Sequence, residues 1–99
     1  MSPDQIHSEV TNNEVVLFMK GTPVFPQCGF SARVVSMLEN VGIKYITYDV
    51  LADAELRENI KTYSDWPTIP QLYMNGEFVG GSDIIADMYE SGELKKLDF

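Results

Sequence analysis

Cysteine occurs once in the chain, at Cys28, and its neighbours decide what that thiol can do. It follows a stretch with prolines at 23 and 26, and it opens a segment in which Phe30, Val34, Leu38 and Val41 recur at helical spacing. A cysteine at the start of a helix faces unpaired backbone N–H groups and the positive end of the helix dipole. Both favour the thiolate, which is the nucleophilic and metal-binding form. Lys20 precedes the loop, and if the loop folds back its charge lowers the thiol pKa further. A lone cysteine is more commonly buried and inert. Position alone leaves both readings open.

The remaining chemistry-bearing residues are few. Arg57 and Lys61 stand four apart on one face of a helical segment and by themselves read as ordinary solvated cations. Gly80-Gly81-Ser82-Asp83 opens another helix, at which Ser82 and Asp83 by themselves read as an ordinary cap. Trp66 reads as core or wall, and His7 as a surface residue with no histidine or cysteine near it in sequence. The net charge of −8 argues against a nucleic-acid or anionic-membrane partner, which would repel the chain. A small anionic ligand remains compatible with the seven cations. One cysteine makes no internal disulfide, which favours a reducing compartment, a bacterial cytoplasm or alternatively a mitochondrial matrix. No apolar run approaches the roughly 20 residues that cross a bilayer, and residues 1–10 lack a signal-peptide pattern.

These residues need a scaffold, and 99 residues with 44% hydrophobic content fit one domain spanning 1–99. Ser2-Pro3-Asp4 caps a short helix that turns Ile6 and Val10 inward. The continuous apolar run from Glu14 to Met19 reads as a buried central strand. A helix from Cys28 ends at Gly42, and residues 43–50 form a second strand, giving a βαβ unit with parallel strands. Asp53 caps a third helix carrying Leu56, Ile60 and Tyr63. Asn75-Gly76 between two short apolar runs marks a hairpin. The last helix is expected to turn Ile84, Ile85, Met88 and Tyr89 inward, with Gly92 ending it before a short polar tail.

Four blocks then appear in order: Lys20-Gly21-Thr22-Pro23, Cys28-Gly29-Phe30-Ser31, Trp66-Pro67-Thr68-Ile69-Pro70-Gln71 and Gly80-Gly81-Ser82-Asp83. Together they resemble the CGFS-type monothiol glutaredoxins, in the single-domain bacterial and mitochondrial branch, over nearly the whole chain. The resemblance implies an α/β thioredoxin-like fold, a mixed four-stranded sheet flanked by helices. It implies that Cys28 is the reactive and cluster-ligating thiol. It also implies that Lys20, Phe30, Arg57, Lys61, Thr68, Ile69, Pro70, Ser82 and Asp83 bind glutathione. In that family the peptide before the matching proline is cis, here Ile69–Pro70, although trans is commoner for X-Pro bonds in general.

Ser31 stands where dithiol relatives carry a second cysteine, so a mixed disulfide at Cys28 is not resolved within this site. The family often has a further cysteine at the position of Ser82, and this chain lacks it as well. A [2Fe–2S] cluster needs four ligands and one chain offers one thiolate. The family solution is a homodimer in which two chains and two glutathiones share the cluster. Its partners would be apo iron–sulfur proteins and a small acidic helper protein. The rival expectation is a glutathione-dependent thiol–disulfide oxidoreductase using the same residues. A third is an interaction module without sulfur chemistry, against which the intact glutathione-site residues count.

Overall fold

A computed structural model describes residues 1–96, with the side chain of Lys96 left out of the description. Its elements run α1 (Pro3–Asn12), β1 (Val15–Met19), α2 (Gly29–Val41), β2 (Ile46–Asp49), α3 (Ala54–Ser64), β3 (Gln71–Met74), β4 (Glu77–Gly80), α4 (Ser82–Ser91) and α5 (Glu93–Lys96). The sheet order is β2-β1-β3-β4, with β1 parallel to β2 and the other neighbours antiparallel. This is the mixed four-stranded sheet flanked by helices that the sequence implied.

The unbroken apolar run of β1 has a direct structural cause. Successive residues of a strand face opposite sides, so a strand covered on both faces needs apolar side chains throughout. Val15, Leu17 and Met19 pack with Val34, Leu38, Leu72 and Ile85 beneath α2 and α4, whereas Val16 and Phe18 pack with Ile6, Val10, Leu56 and Ile60 beneath α1 and α3. Burying one such side chain stabilises the fold by roughly 1.5–3 kcal/mol, so the two layers together hold β1 at the centre of the molecule. The two ends of β1 are therefore fixed points, and one of them leads into Lys20.

Local signals place the other elements. Ser2 accepts from the Gln5 backbone while the Gln5 side chain accepts from Ser2, a capping box that opens α1. Asp53 caps α3 by accepting from the Leu56 N–H at 3.0 Å. Asn75 and Gly76 both have positive φ, 53° and 82°, the requirement of the two-residue hairpin turn between β3 and β4.

Three sequence expectations differ from the structure. The second strand is shorter than 43–50, because Gly42 and Ile43 both donate to the Leu38 carbonyl and are spent on closing α2. Within α4, Ile85 and Ala86 are buried and Met88 packs partly against the core, but Ile84 and Tyr89 are 41% and 37% exposed. Ile84 instead lies over the backbone of Gly80 and on the wall of a cleft, and Tyr89 meets the Asn40 amide. After Gly92 the chain does not become a polar tail at once. It makes one further turn, α5, whose Leu94 is fully buried in the α2/α4 layer. The rest of the expected tail, residues 97–99, lies outside the described residues.

Candidate functional site

Cys28 is the N-cap of α2, with extended backbone angles (φ −153°, ψ 136°) and a half-buried side chain. Its thiol pKa is held below the ordinary value of 9.0. The Ser31 N–H is the largest cause, followed, against the opposing effect of burial, by the Phe30 N–H, the charge of Lys20 and the Ser31 hydroxyl. Free N–H groups in the first turn of a helix do this because the charged sulfur accepts their hydrogen bonds and the neutral thiol does so poorly. Cys28 thus stands at the start of the helix, where the sequence placed it.

Lys20 reaches this spot because the loop after β1 doubles back. Gln27 N–H donates to the Lys20 carbonyl at 2.9 Å, Thr22 N–H to the Phe25 carbonyl at 3.3 Å, and Gly21 bridges to Pro26. Gly21 is required there. Its φ is +86°, and a Cβ would lie 2.4 Å from the Phe25 carbonyl oxygen. The Lys20 N–H donates to the buried Ser31 Oγ at 3.1 Å, tying the end of β1 to the first turn of α2. The same closure holds Val24 and Phe25 out in water, 76% and 72% exposed.

A cleft of about 500 Å³ opens beside Cys28. The structure brings every residue expected at the site into its lining: Lys20 just after β1, Cys28 and Phe30 at the start of α2, Arg57 and Lys61 from α3, Thr68, Ile69 and Pro70 from the segment before β3, and Ser82 and Asp83 from α4. The Ile69–Pro70 peptide is cis. Of the described cations, three line the cleft. A fourth, Arg33, pairs with Asp83 at 3.7 Å across its rim, both side chains largely exposed.

The floor at α4 shows an unspent polar group. Ser82 is 9% exposed, and its hydroxyl oxygen has no hydrogen-bond partner. Gly81 caps the helix without a side-chain bond, and a Cβ there would come within 3.4 Å of the Pro70 carbonyl. The oxygen itself is sealed from the cleft, so an anion there would meet the free N–H groups at the start of α4 rather than this hydroxyl. The arrangement joins a cysteine of lowered pKa, a cluster of cations and a helix N-terminus. It suits a small anionic molecule.

Sequence reasoning did not single out every residue of the lining. Trp66, read as core or wall, is a wall: it lines the cleft at 38% exposure and packs on Phe78 at 5.9 Å between ring centroids. Pro67 and Gly81, which only the motif blocks could have suggested, also line it, and so does Ile84, which lies outside those blocks. His7 is exposed as expected, and its Nδ1 meets the Tyr63 hydroxyl at 2.8 Å. Among the described residues no three His, Cys, Asp or Glu side chains are grouped to hold a metal, and no helix is long and apolar enough to cross a membrane.

Comparison with known proteins agrees with this geometry. The glutaredoxin family model matches residues 15–79. A monothiol glutaredoxin of Synechocystis is 57% identical over 98% of this chain and 94% of its own length. The mitochondrial monothiol glutaredoxin-5 of Schizosaccharomyces pombe is 59% identical, covering 93% of this chain and 65% of its own. The solution structure of a monomeric truncated mutant of Trypanosoma brucei 1-C-Grx1 superposes with a TM-score of 0.89 at 45% identity, over 98% of this chain and 88% of that one. The chain belongs to the glutaredoxin family, and within it to the monothiol glutaredoxins.

Proposed function

We propose that this chain is an iron–sulfur carrier that binds glutathione in the cleft beside Cys28. The reading rests above all on the pairing of Cys28, whose pKa is lowered by the first turn of α2, with a cation-lined cleft that ends at the N-terminus of α4. Glutathione carries two carboxylates, one ammonium and one thiol. Lys20, Arg57 and Lys61 suit its glycine carboxylate. Ser82 suits the γ-glutamyl carboxylate, Asp83 the ammonium, and Phe30 with Thr68, Ile69 and Pro70 the walls between them. A volume of about 500 Å³ accommodates a ligand of this size.

The cargo is a [2Fe–2S] cluster, which takes two ligands per iron. One chain contributes the Cys28 thiolate and its glutathione a second sulfur, so two copies complete the set. Half of that set is held non-covalently, which favours release to apo iron–sulfur proteins over permanent storage. A small acidic helper protein would join this assembly. The chain acts as a single domain, in a bacterial cytoplasm or a mitochondrial matrix.

Anaerobic reconstitution with iron, sulfide and glutathione tests the reading. The expected product is a coloured dimer with one cluster per two chains, lost when glutathione is omitted and absent from Cys28→Ser. A colourless monomer that rapidly reduces glutathionylated proteins would replace the carrier by an oxidoreductase. In that cycle Cys28 takes the glutathionyl group and releases the protein thiol, and a second glutathione then frees Cys28 as glutathione disulfide.

A further inference from the structure

β3 opens on a residue poorly suited to a core. Gln71 is fully buried, opposite Phe18 of β1, and a buried amide is destabilising unless its donors and acceptor are satisfied. Both donors go to one place: Nε2 donates to the carbonyl oxygens of Trp66 and Thr68, each at 3.2 Å. Its Oε1 accepts from the Tyr73 hydroxyl at 3.1 Å. Tyr73 is in turn fixed among Phe18, Tyr63 and Phe78, with ring centroids 5.6, 5.9 and 5.3 Å away.

The segment held in this way has no ladder of its own. Residues 66–70 lie between α3 and β3, outside helix and strand, yet they supply a whole wall of the cleft. Carbonyls of such a segment are free to rotate unless something binds them, and Gln71 binds two of the first three. In a planar trans peptide the C=O and N–H point in opposite directions. Drawing the Thr68 carbonyl toward Gln71 therefore turns the Ile69 N–H the other way.

We propose that Gln71 is a positioning residue for ligand binding. By anchoring the Trp66 and Thr68 carbonyls in the core, it presents the Ile69 N–H and the Thr68 side of the wall to the peptide backbone of a bound thiol. This rests on the glutathione reading of the cleft and adds the source of its selectivity for a thiol carried on a peptide. Cys28 is stabilised separately, by α2 and Lys20, so its intrinsic reactivity is independent of Gln71.

The test compares two disulfides attacked by the Cys28 thiolate in the whole chain. With glutathione disulfide, the attack forms the Cys28–glutathione bond and expels glutathione thiolate. With hydroxyethyl disulfide, it forms the corresponding adduct and expels mercaptoethanol, with no peptide group involved. In folded Gln71→Met the first rate is expected to fall about tenfold, the effect of losing roughly one well-made hydrogen bond, while the second is unchanged. Equal rates with wild type for both disulfides, or an equal fall in both, would overturn the proposal. A wild-type chain without preference for glutathione disulfide would overturn the glutathione reading itself and this inference with it. Should Gln71→Met not fold, side-chain amide exchange in the wild type decides. Gln71 protons that exchange slowly and shift when glutathione is added support the anchor, and exchange at the rate of a free side chain refutes it.

Discussion

Ser31→Ala separates the two hydrogen-bonding roles of one buried residue. In the wild type, Ser31 Oγ accepts the Lys20 N–H at 3.1 Å, and the hydroxyl helps to lower the Cys28 pKa, while the Ser31 backbone N–H contributes the most to that lowering. Alanine removes the hydroxyl and leaves the Lys20 N–H unpaired in a part-buried setting, which costs about 1–3 kcal/mol. Alanine is also the better helix former by up to about 0.5 kcal/mol, so the net loss is roughly 0.5–3 kcal/mol. In a domain of this size each kcal/mol lowers the melting midpoint by about 4–8 °C. The thiol pKa should rise, because a contributor to thiolate stability is gone. It should remain below 9.0, because the leading N–H survives. Urea unfolding measures the first effect and the pH profile of iodoacetamide alkylation the second. An alkylation midpoint that moves all the way to the ordinary thiol value would show that the hydroxyl controls Cys28, refuting the assignment to the helix N-terminus.

Three further outcomes follow from the same geometry. Because the folded thiol is depressed below 9.0, its contribution to stability is fully present above that pH and is lost as pH falls through the folded pKa. The unfolding free energy of wild type minus that of Cys28→Ser should thus grow with pH across the interval, and a flat difference would contradict the stabilised thiolate. Gly21→Ala places a Cβ 2.4 Å from a backbone oxygen at φ +86°, so it should destabilise by about 1 kcal/mol or more and raise the Cys28 pKa as Lys20 shifts. Unfolding and alkylation of that variant read both effects, and unchanged alkylation would detach loop closure from the thiol. Arg57→Glu should weaken glutathione binding, with the loss shrinking as salt is added. Unaltered affinity by calorimetry removes Arg57 from the site.

The sequence carried the elements whose signals are local and lost those decided by packing partners. The run from Val15 to Met19, the Asp53 cap and the Asn75-Gly76 turn are each written in neighbouring residues. The orientation of α4 was misread because an Ile-Ile pair at 84 and 85 cannot both face one core, and periodicity alone did not say which would turn away. Leu94 was absorbed into a polar tail because a single apolar residue among Glu93, Lys95 and Lys96 has no periodicity. Most of the candidate site residues were legible through four motif blocks, since they come from five separate elements or loops, whereas Arg57 and Lys61 lie outside those blocks and showed only a shared helix face. Gln71 was quoted within one of those blocks, but its role depends on two carbonyls and a tyrosine that only the folded chain brings together.

The overall charge and the cleft point in opposite directions, and distance decides between them. A chain of net charge −8 should repel an anionic tripeptide, yet Lys20, Arg57 and Lys61 converge on one cleft with Arg33 at its rim. At physiological ionic strength the screening length is about 8 Å, so a bound carboxylate feels the charges lining its pocket far more than acids across a molecule 34 Å long. The surplus of acids therefore opposes general association with polyanions without preventing binding at this one place. The same cations lie beside the thiol, where Lys20 favours the charged sulfur. Folding the loop at Gly21 brings that lysine into the cleft, so a single backbone turn serves both the anion and the thiolate. That coupling is why Gly21→Ala, which removes no charge, is expected to impair both.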